Sequence, residues 1–267
     1  MFLKKLKPIH GWRMFFGEVA IIVLGVGIAL VAQQLVEDWT WRTDVAQARR
    51  QLIAETHDNF TYAAERLAAQ PCIDAQLDRL VARAVAQGER LQPAAPIESS
   101  MGTVAVRQPS RPYRDDAWTS VVGDGVSAHF PGDERDLLAS NYTQVRALME
   151  RSTSGDDTND RLNLFLNPIA LDPQVRAGMV EQAMAAKTNN RRMTLVAGQI
   201  MSSFWALGLA PTADKVDRYL SYSGTIKYCR QAGLPLGDWR QLLSAQRAAD
   251  LTTDRAAAFY RAHHHRR

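Results

Sequence analysis

Met14-Phe15-Phe16-Gly17-Glu18-Val19-Ala20-Ile21-Ile22-Val23-Leu24-Gly25-Val26-Gly27-Ile28-Ala29-Leu30-Val31-Ala32-Gln33-Gln34-Leu35 is the stretch whose reading decides the fold. One charge, Glu18, interrupts it, and Val19 to Leu35 carries none. About 20 helical residues cross the roughly 30 Å hydrocarbon layer of a bilayer. A helix satisfies its own backbone polar groups there, which no open sheet can do. The stretch therefore reads as a transmembrane helix over residues 14–36. It exceeds the 7–15 apolar residues of a cleaved signal peptide. A cut after Ala32 would also place Leu30 where a small residue is needed. An uncleaved signal anchor is the expectation.

The flanks set an orientation. Lys4, Lys5, Lys7 and Arg13 precede the apolar run, whereas Glu37 and Asp38 follow it. Positive charge stays on the cytoplasmic side, so residues 1–13 read as a cytoplasmic basic tail and residues 37–250 as an extracytoplasmic domain. Residues 251–267 read as a flexible basic tail. Trp12 suits one interface, and Trp39 and Trp41 the other. The inner tail is too short to be an output domain, so any signal would pass through helix association or a partner subunit.

The composition is that of a folded protein, 46% hydrophobic and 22% charged. The formal net charge of +4 is concentrated at the two ends: without Lys4, Lys5, Lys7, Arg13, Arg261, Arg266 and Arg267 it is about −3. With no aromatic residues interleaved in a basic patch, no nucleic-acid role is expected.

Gly17-Glu18, Gly25, Ile28-Ala29-Leu30, Gln33-Gln34 and Trp39 resemble the N-terminal anchor of an uncharacterised family of bacterial single-pass inner-membrane proteins, a domain of unknown function. The shared pattern is Gly-Glu-apolar-Gly-apolar-Ala-Leu-Gln-x-x-x-Trp, and it covers about 25 residues. Ala117-Trp118, Gly125, Leu137-Leu138 and Tyr142 resemble that family's next recurring element more loosely. The resemblance implies a bacterial inner-membrane protein with a helical outer domain, and supplies no activity.

Beyond the anchor the period is helical. Val45, Ala48, Leu52, Thr56, Phe60, Ala63 and Leu67 share one face. The anchor runs into this helix unbroken, and Pro71 is expected to end it. Ile73, Leu77, Leu80 and Ala84 mark a second helix closed by Gly88. Residues 89–113, with Pro93, Pro96, Pro109 and Pro112, read as a long loop. Asp115 or Asp116 would cap a short helix, and Asp133 another. Ser152 to Asp160 reads as a polar loop. Asp172-Pro173 is a strong helix start, followed by a stripe from Val175 to Leu207. Its uncharged end, Met193 to Ala213, reads as a buried core helix rather than a second span. Helices follow from Pro211 and from Pro235. No convincing set of alternating strands is visible. The fold class is all-α: an N-terminal transmembrane helix followed by an antiparallel helical bundle.

No catalytic, cofactor-binding or metal-ligating residue is assigned, and no cofactor is expected. Gly123-Asp124-Gly125 lacks the strand context of a dinucleotide site and reads as a helix end and turn. Asp156, Asp157, Thr158 and Asp160 lack the Gly and Glu of a calcium loop. His263, His264 and His265 belong to the tail. Glu55, His57 and Asp58 read as a solvent-facing cluster. The membrane-contact candidates are Glu18, a carboxylate inside the span, and the small pair Gly25 and Ala29. A headgroup position near the helix N-terminus is the plainer reading of Glu18. Cys72 and Cys229, near expected helix ends, are a disulfide candidate. The bridge would close a loop of about 158 residues, worth up to roughly 5 kcal/mol, and buried free thiols are the alternative.

The expected function is an interaction, scaffold or sensory module on a single-pass inner-membrane protein. Its periplasmic domain would meet a membrane or periplasmic protein partner or a second copy, with the lipid bilayer around the anchor. The alternative is a membrane-anchored periplasmic enzyme of unrecognised type.

Overall fold

The computed structural model describes residues 12–99 and 102–250. The basic ends at 1–11 and 251–267, with the three-histidine run, lie outside the described residues. Helix α1, Trp12–Ala86, contains 75 residues, a rod of about 110 Å. Its first part stands alone: residues 15–40 are exposed all round, and the first buried residue is Ala48. This portion is long and apolar enough to cross a membrane.

Farther along, α1 becomes the central helix of the domain. Ala63, Ala64, Ala68 and Ala69 are buried together with Phe60, Leu67, Ile73 and Leu77. A helix apolar on all sides is covered on all sides, and the alanines let neighbours come close. Those neighbours are α2 (Asp116–Gly123), α4 (Pro173–Ala206), α5 (Ala213–Tyr222), α6 (Gly224–Gln231) and α7 (Trp239–Asp250). Helix α3, Gly132–Leu162, packs on α4 and reaches α1 through the Arg49–Glu134 ion pair.

Helix α4 runs antiparallel to α1. Arg176 donates to the carbonyl oxygens of Ala84 and Gly88, Lys187 pairs with Asp78, and Arg191 with Asp74. Asn141 and Tyr142 of α3 meet Ile200 and Phe204 near the end of α4. Leu162 lines a crevice with Ala186 and Asn189, nearer the start of α4, so α3 is also antiparallel to α4. Asp172 starts α4 as expected, its carboxylate accepting from the N–H groups of Gln174 and Val175 at 2.8 Å each. Met193, Ala197, Ile200, Met201 and Phe204 are buried, which makes the uncharged end of α4 core. Each large side chain there contributes about 1.5–3 kcal/mol on burial.

Several local expectations are corrected. Pro71 lies inside α1 and does not end it. Its missing N–H leaves Leu67 O, four residues back, without a helical donor, and beside it the N–H of Gly237 donates to Ala68 O at 2.9 Å. A Cβ at Gly237 would stand 3.1 Å from Leu67 O, so glycine is required for that approach. Ser152 to Asp160 continues α3 instead of forming a loop. Small polar residues cost only tenths of a kcal/mol each in a helix, and Thr153 Oγ1 donates back to Met149 O. Asp133 falls in the first turn of α3, whose N-cap is Pro131. Asp115 occupies the N-cap of α2 without capping it; its carboxylate pairs with Arg146.

The Gly123 to Gly125 stretch is the end of α2 and a turn, with Gly125 at φ 74°. Helix α6, capped by Ser223 Oγ accepting from the Ile226 N–H at 3.1 Å, was not separately legible. The long segment 89–113 holds a small antiparallel hairpin, β1 (Ile97–Ser99) with β2 (Gly102–Val104). Among the described residues this hairpin and an isolated Arg90–Ala170 bridge are the extent of β structure.

Candidate functional site

Polar side chains on the buried part of α1 organise the domain. The segment after β2 returns along α1 as an extended strap, and α1 binds its backbone twice with the same device. Gln76 Oε1 accepts from the Arg107 N–H at 2.7 Å while its Nε2 donates to Arg107 O at 3.1 Å. Asn59 Oδ1 accepts from the Arg114 N–H at 2.9 Å while its Nδ2 donates to Arg114 O at 2.7 Å. Each amide replaces a strand partner for one strap residue. The spacing fits: from Asn59 to Gln76 the helix rises about 25 Å, and from Arg107 to Arg114 extended chain covers about 23 Å.

Between the two amides lies a charged cluster. Glu65, with 0% of its side chain exposed, accepts from Arg111 Nε at 2.6 Å and Arg111 Nη2 at 3.0 Å. Tyr219 Oη donates to Glu65 at 3.3 Å, and Ser223 Oγ donates to its other oxygen. The Arg111 guanidinium lies 5.3 Å from the centre of the Tyr219 ring. Tyr62 is 5.9 Å from both Tyr113 and Tyr219. Arg66, also buried, donates to Asn190 Oδ1 and to Pro109 O. Farther down, the Ala117 N–H donates to Glu55 Oε2 at 2.9 Å. Glu55 thus caps α2 from α1 and is buried, which corrects its placement in a solvent-facing cluster.

These groups fit an electrostatic clasp better than a reaction centre. The hydrogen bond to Glu65 holds Arg111 still more firmly protonated. Ser223 Oγ is already committed to Glu65 and to the α6 cap, so it is no free nucleophile. His57 Nδ1 lies 3.1 Å from Lys215 Nζ; burial and then the lysine charge push the imidazole pKa down. A crevice of about 10 Å³, partly open to solvent, is lined by Ile73, Leu77, Gln108 and Asn159 among others. That is below the usual size of a small-molecule site. Among the described residues no group of three or more His, Cys, Asp or Glu could hold a metal ion.

Burial also raises the tyrosine pKa values of Tyr113 and Tyr142. Both are nearly inaccessible. Each stays neutral in the fold while its unfolded counterpart ionises near pH 10. The unfolded chain then binds fewer protons, so stability is full below pH 10 and falls above it. Urea unfolding should show a loss of about 2 kcal/mol from pH 10 to 11 through these two groups. A flat profile over that interval would contradict their burial.

The residues singled out in the sequence separate into two places. Glu18, Gly25 and Ala29 sit on the exposed first part of α1. Intervals of seven and four put them within about 40° of one another around the helix. Gly25 has nothing within 4 Å of a would-be Cβ. Cys72 and Cys229 are bridged, with Cα atoms 6.0 Å apart. Cys72 belongs to the interior of α1, not to a helix end. Their contacts form a small cluster with Leu234, Ala75, Tyr228, Ala232 and Leu236.

The clasp was missed. Glu55, Asn59, Glu65 and Gln76 fall among buried positions of α1, and that interruption of an apolar surface was its available signal. Aromatic and basic residues do interleave in one region, contrary to expectation: Arg218, Tyr219, Tyr222, Lys227, Tyr228 and Arg230. No family model, curated protein or solved structure matches the chain.

Proposed function

We propose that this chain is a single-pass bacterial inner-membrane protein whose periplasmic helical domain is an interaction, scaffold or sensory module. The observation that carries the reading is one continuous helix with two surroundings. Residues 15–40 are exposed and mostly apolar, and the same helix is enclosed by the domain from Phe60 to Leu77. An apolar surface of that extent is unfavourable in water and is at rest in lipid. The helix then acts as a mast that fixes the domain at a set height. Lys4, Lys5, Lys7 and Arg13 before the span favour a cytoplasmic N-terminus. The Cys72–Cys229 bridge suits an oxidising compartment. The resemblance of the anchor to the bacterial single-pass family agrees with this. Glu18, Gly25 and Ala29 are its membrane contacts, toward a neighbouring helix or a second copy.

A phosphatase fused to the C-terminus should be active and a fluorescent reporter there dark; the reverse result would overturn the orientation. The chain should remain in the membrane after alkaline carbonate washing. Glu18→Gln should change which membrane proteins co-purify, and unchanged co-purification would remove Glu18 as a contact.

A further inference from the structure

Five cations gather on one side of the domain without an ion pair among the described residues: Arg79, Arg107, Arg218, Lys227 and Arg230. Their adjacency follows from contacts. Arg218 and Tyr222 are one turn apart on α5. The Lys227 ammonium lies 5.6 Å from the centre of the Tyr222 ring. Lys227 and Arg230 share the exposed side of α6, opposite buried Ile226 and Cys229. The Arg107 guanidinium lies against Gly224, and the Arg79 charge acts on Tyr228. Tyr222 is 73% exposed.

We propose that this face docks an acidic segment of a partner protein, which deepens and rests on the interaction-module reading. Tyrosine and arginine are the residue types that dominate protein interfaces. Lysine and arginine side chains without a carboxylate partner give electrostatic complementarity to carboxylates and speed the encounter. Lipid headgroups of its own membrane are out of reach. The part of α1 flanked by these residues, 65–79, lies roughly 45 to 65 Å along the helix from Val36. Salt screens charges beyond about 10 Å.

The test uses the full chain in nanodiscs of neutral phosphatidylcholine. The probe is a fluorescein-labelled 16-residue peptide of Glu, Asp and Leu. Its Gln/Asn counterpart, a single-stranded DNA 16-mer and polygalacturonate are the comparison ligands. The acidic peptide should bind, and lose about tenfold or more in affinity with Lys227→Glu/Arg230→Glu at unchanged melting temperature. Tyr222→Ala should also weaken it, and Arg151→Glu/Arg192→Glu, elsewhere on the surface, should not. No binding, equal binding by both double variants, or tenfold tighter binding of DNA or polysaccharide would overturn the proposal. Any of these leaves the membrane anchoring to stand or fall on the fusion and carbonate results.

Discussion

Replacing both Cys72 and Cys229 by alanine is expected to lower the melting temperature of the domain by about 10 °C. Two causes act together, and they can be separated. The first lies in the unfolded chain: the bridge joins residues 157 apart, and removing a native disulfide typically costs about 2–5 kcal/mol. At a few degrees per kcal/mol for a domain of this size, the shift follows. The second is local. Pro71 leaves Leu67 O without its helical donor, and the α6–α7 turn lies against that carbonyl while the Gly237 N–H donates to the neighbouring Ala68 O. Cys229 ties that turn to the residue next to the proline. In the alanine variant, amide exchange should rise about tenfold at Gly237 and at residues 72–74. Adding Pro71→Ala supplies the missing N–H. The gain in exchange at residues 72–74 should then shrink, while the gain at Gly237, whose acceptor is Ala68 O, and most of the thermal loss remain, because loop closure is untouched. Native protein whose thiols are fully alkylatable, with an unchanged melting temperature on replacement, would remove both arguments.

The Pro71 result also shows where reading from sequence ran short. A proline in a helix is a local rule, and the rule assumes that nothing else meets the freed carbonyl groups. Here Gly237, far along the chain, packs against the break and donates to the neighbouring Ala68 O. Elements determined by neighbouring residues were legible: the Asp172-Pro173 start of α4, its buried uncharged end, and the apolar first part of α1. Elements determined by distant partners were not. Asp115 would serve α2 as a cap if Glu55 were absent, yet Glu55 takes the Ala117 N–H and Asp115 turns to Arg146. Residues 152–160 look like a loop by composition, but the helix on either side carries them. The segment 89–113 reads as a loop, and the structure puts a short hairpin and part of the strap in it. What it does was invisible, because its backbone partners are side chains of α1 lying tens of residues upstream. Two amides matched to an extended chain leave no periodic mark in sequence.

The same point governs the charged clasp, where the two partners should behave unequally. Arg111→Met leaves Glu65 wholly buried with two hydroxyl donors and no cation, and should cost about 3–5 kcal/mol by urea unfolding. Glu65→Gln keeps the shape and leaves an Arg111 side chain that is 30% exposed, free to reach water. Its cost should be nearer 1–2 kcal/mol. The double variant should cost less than the sum of the two, since the penalty of Arg111→Met resides in the carboxylate that Glu65→Gln removes. A cost below about 1 kcal/mol for Arg111→Met would put the pair with ordinary surface bridges. The strap would then be held by Asn59 and Gln76, and alanine at either should be the larger loss. The comparison therefore decides whether α1 grips the strap through one buried charge or through two amides. In either case the gripping residues sit on the same continuous helix as the exposed apolar residues 15–40.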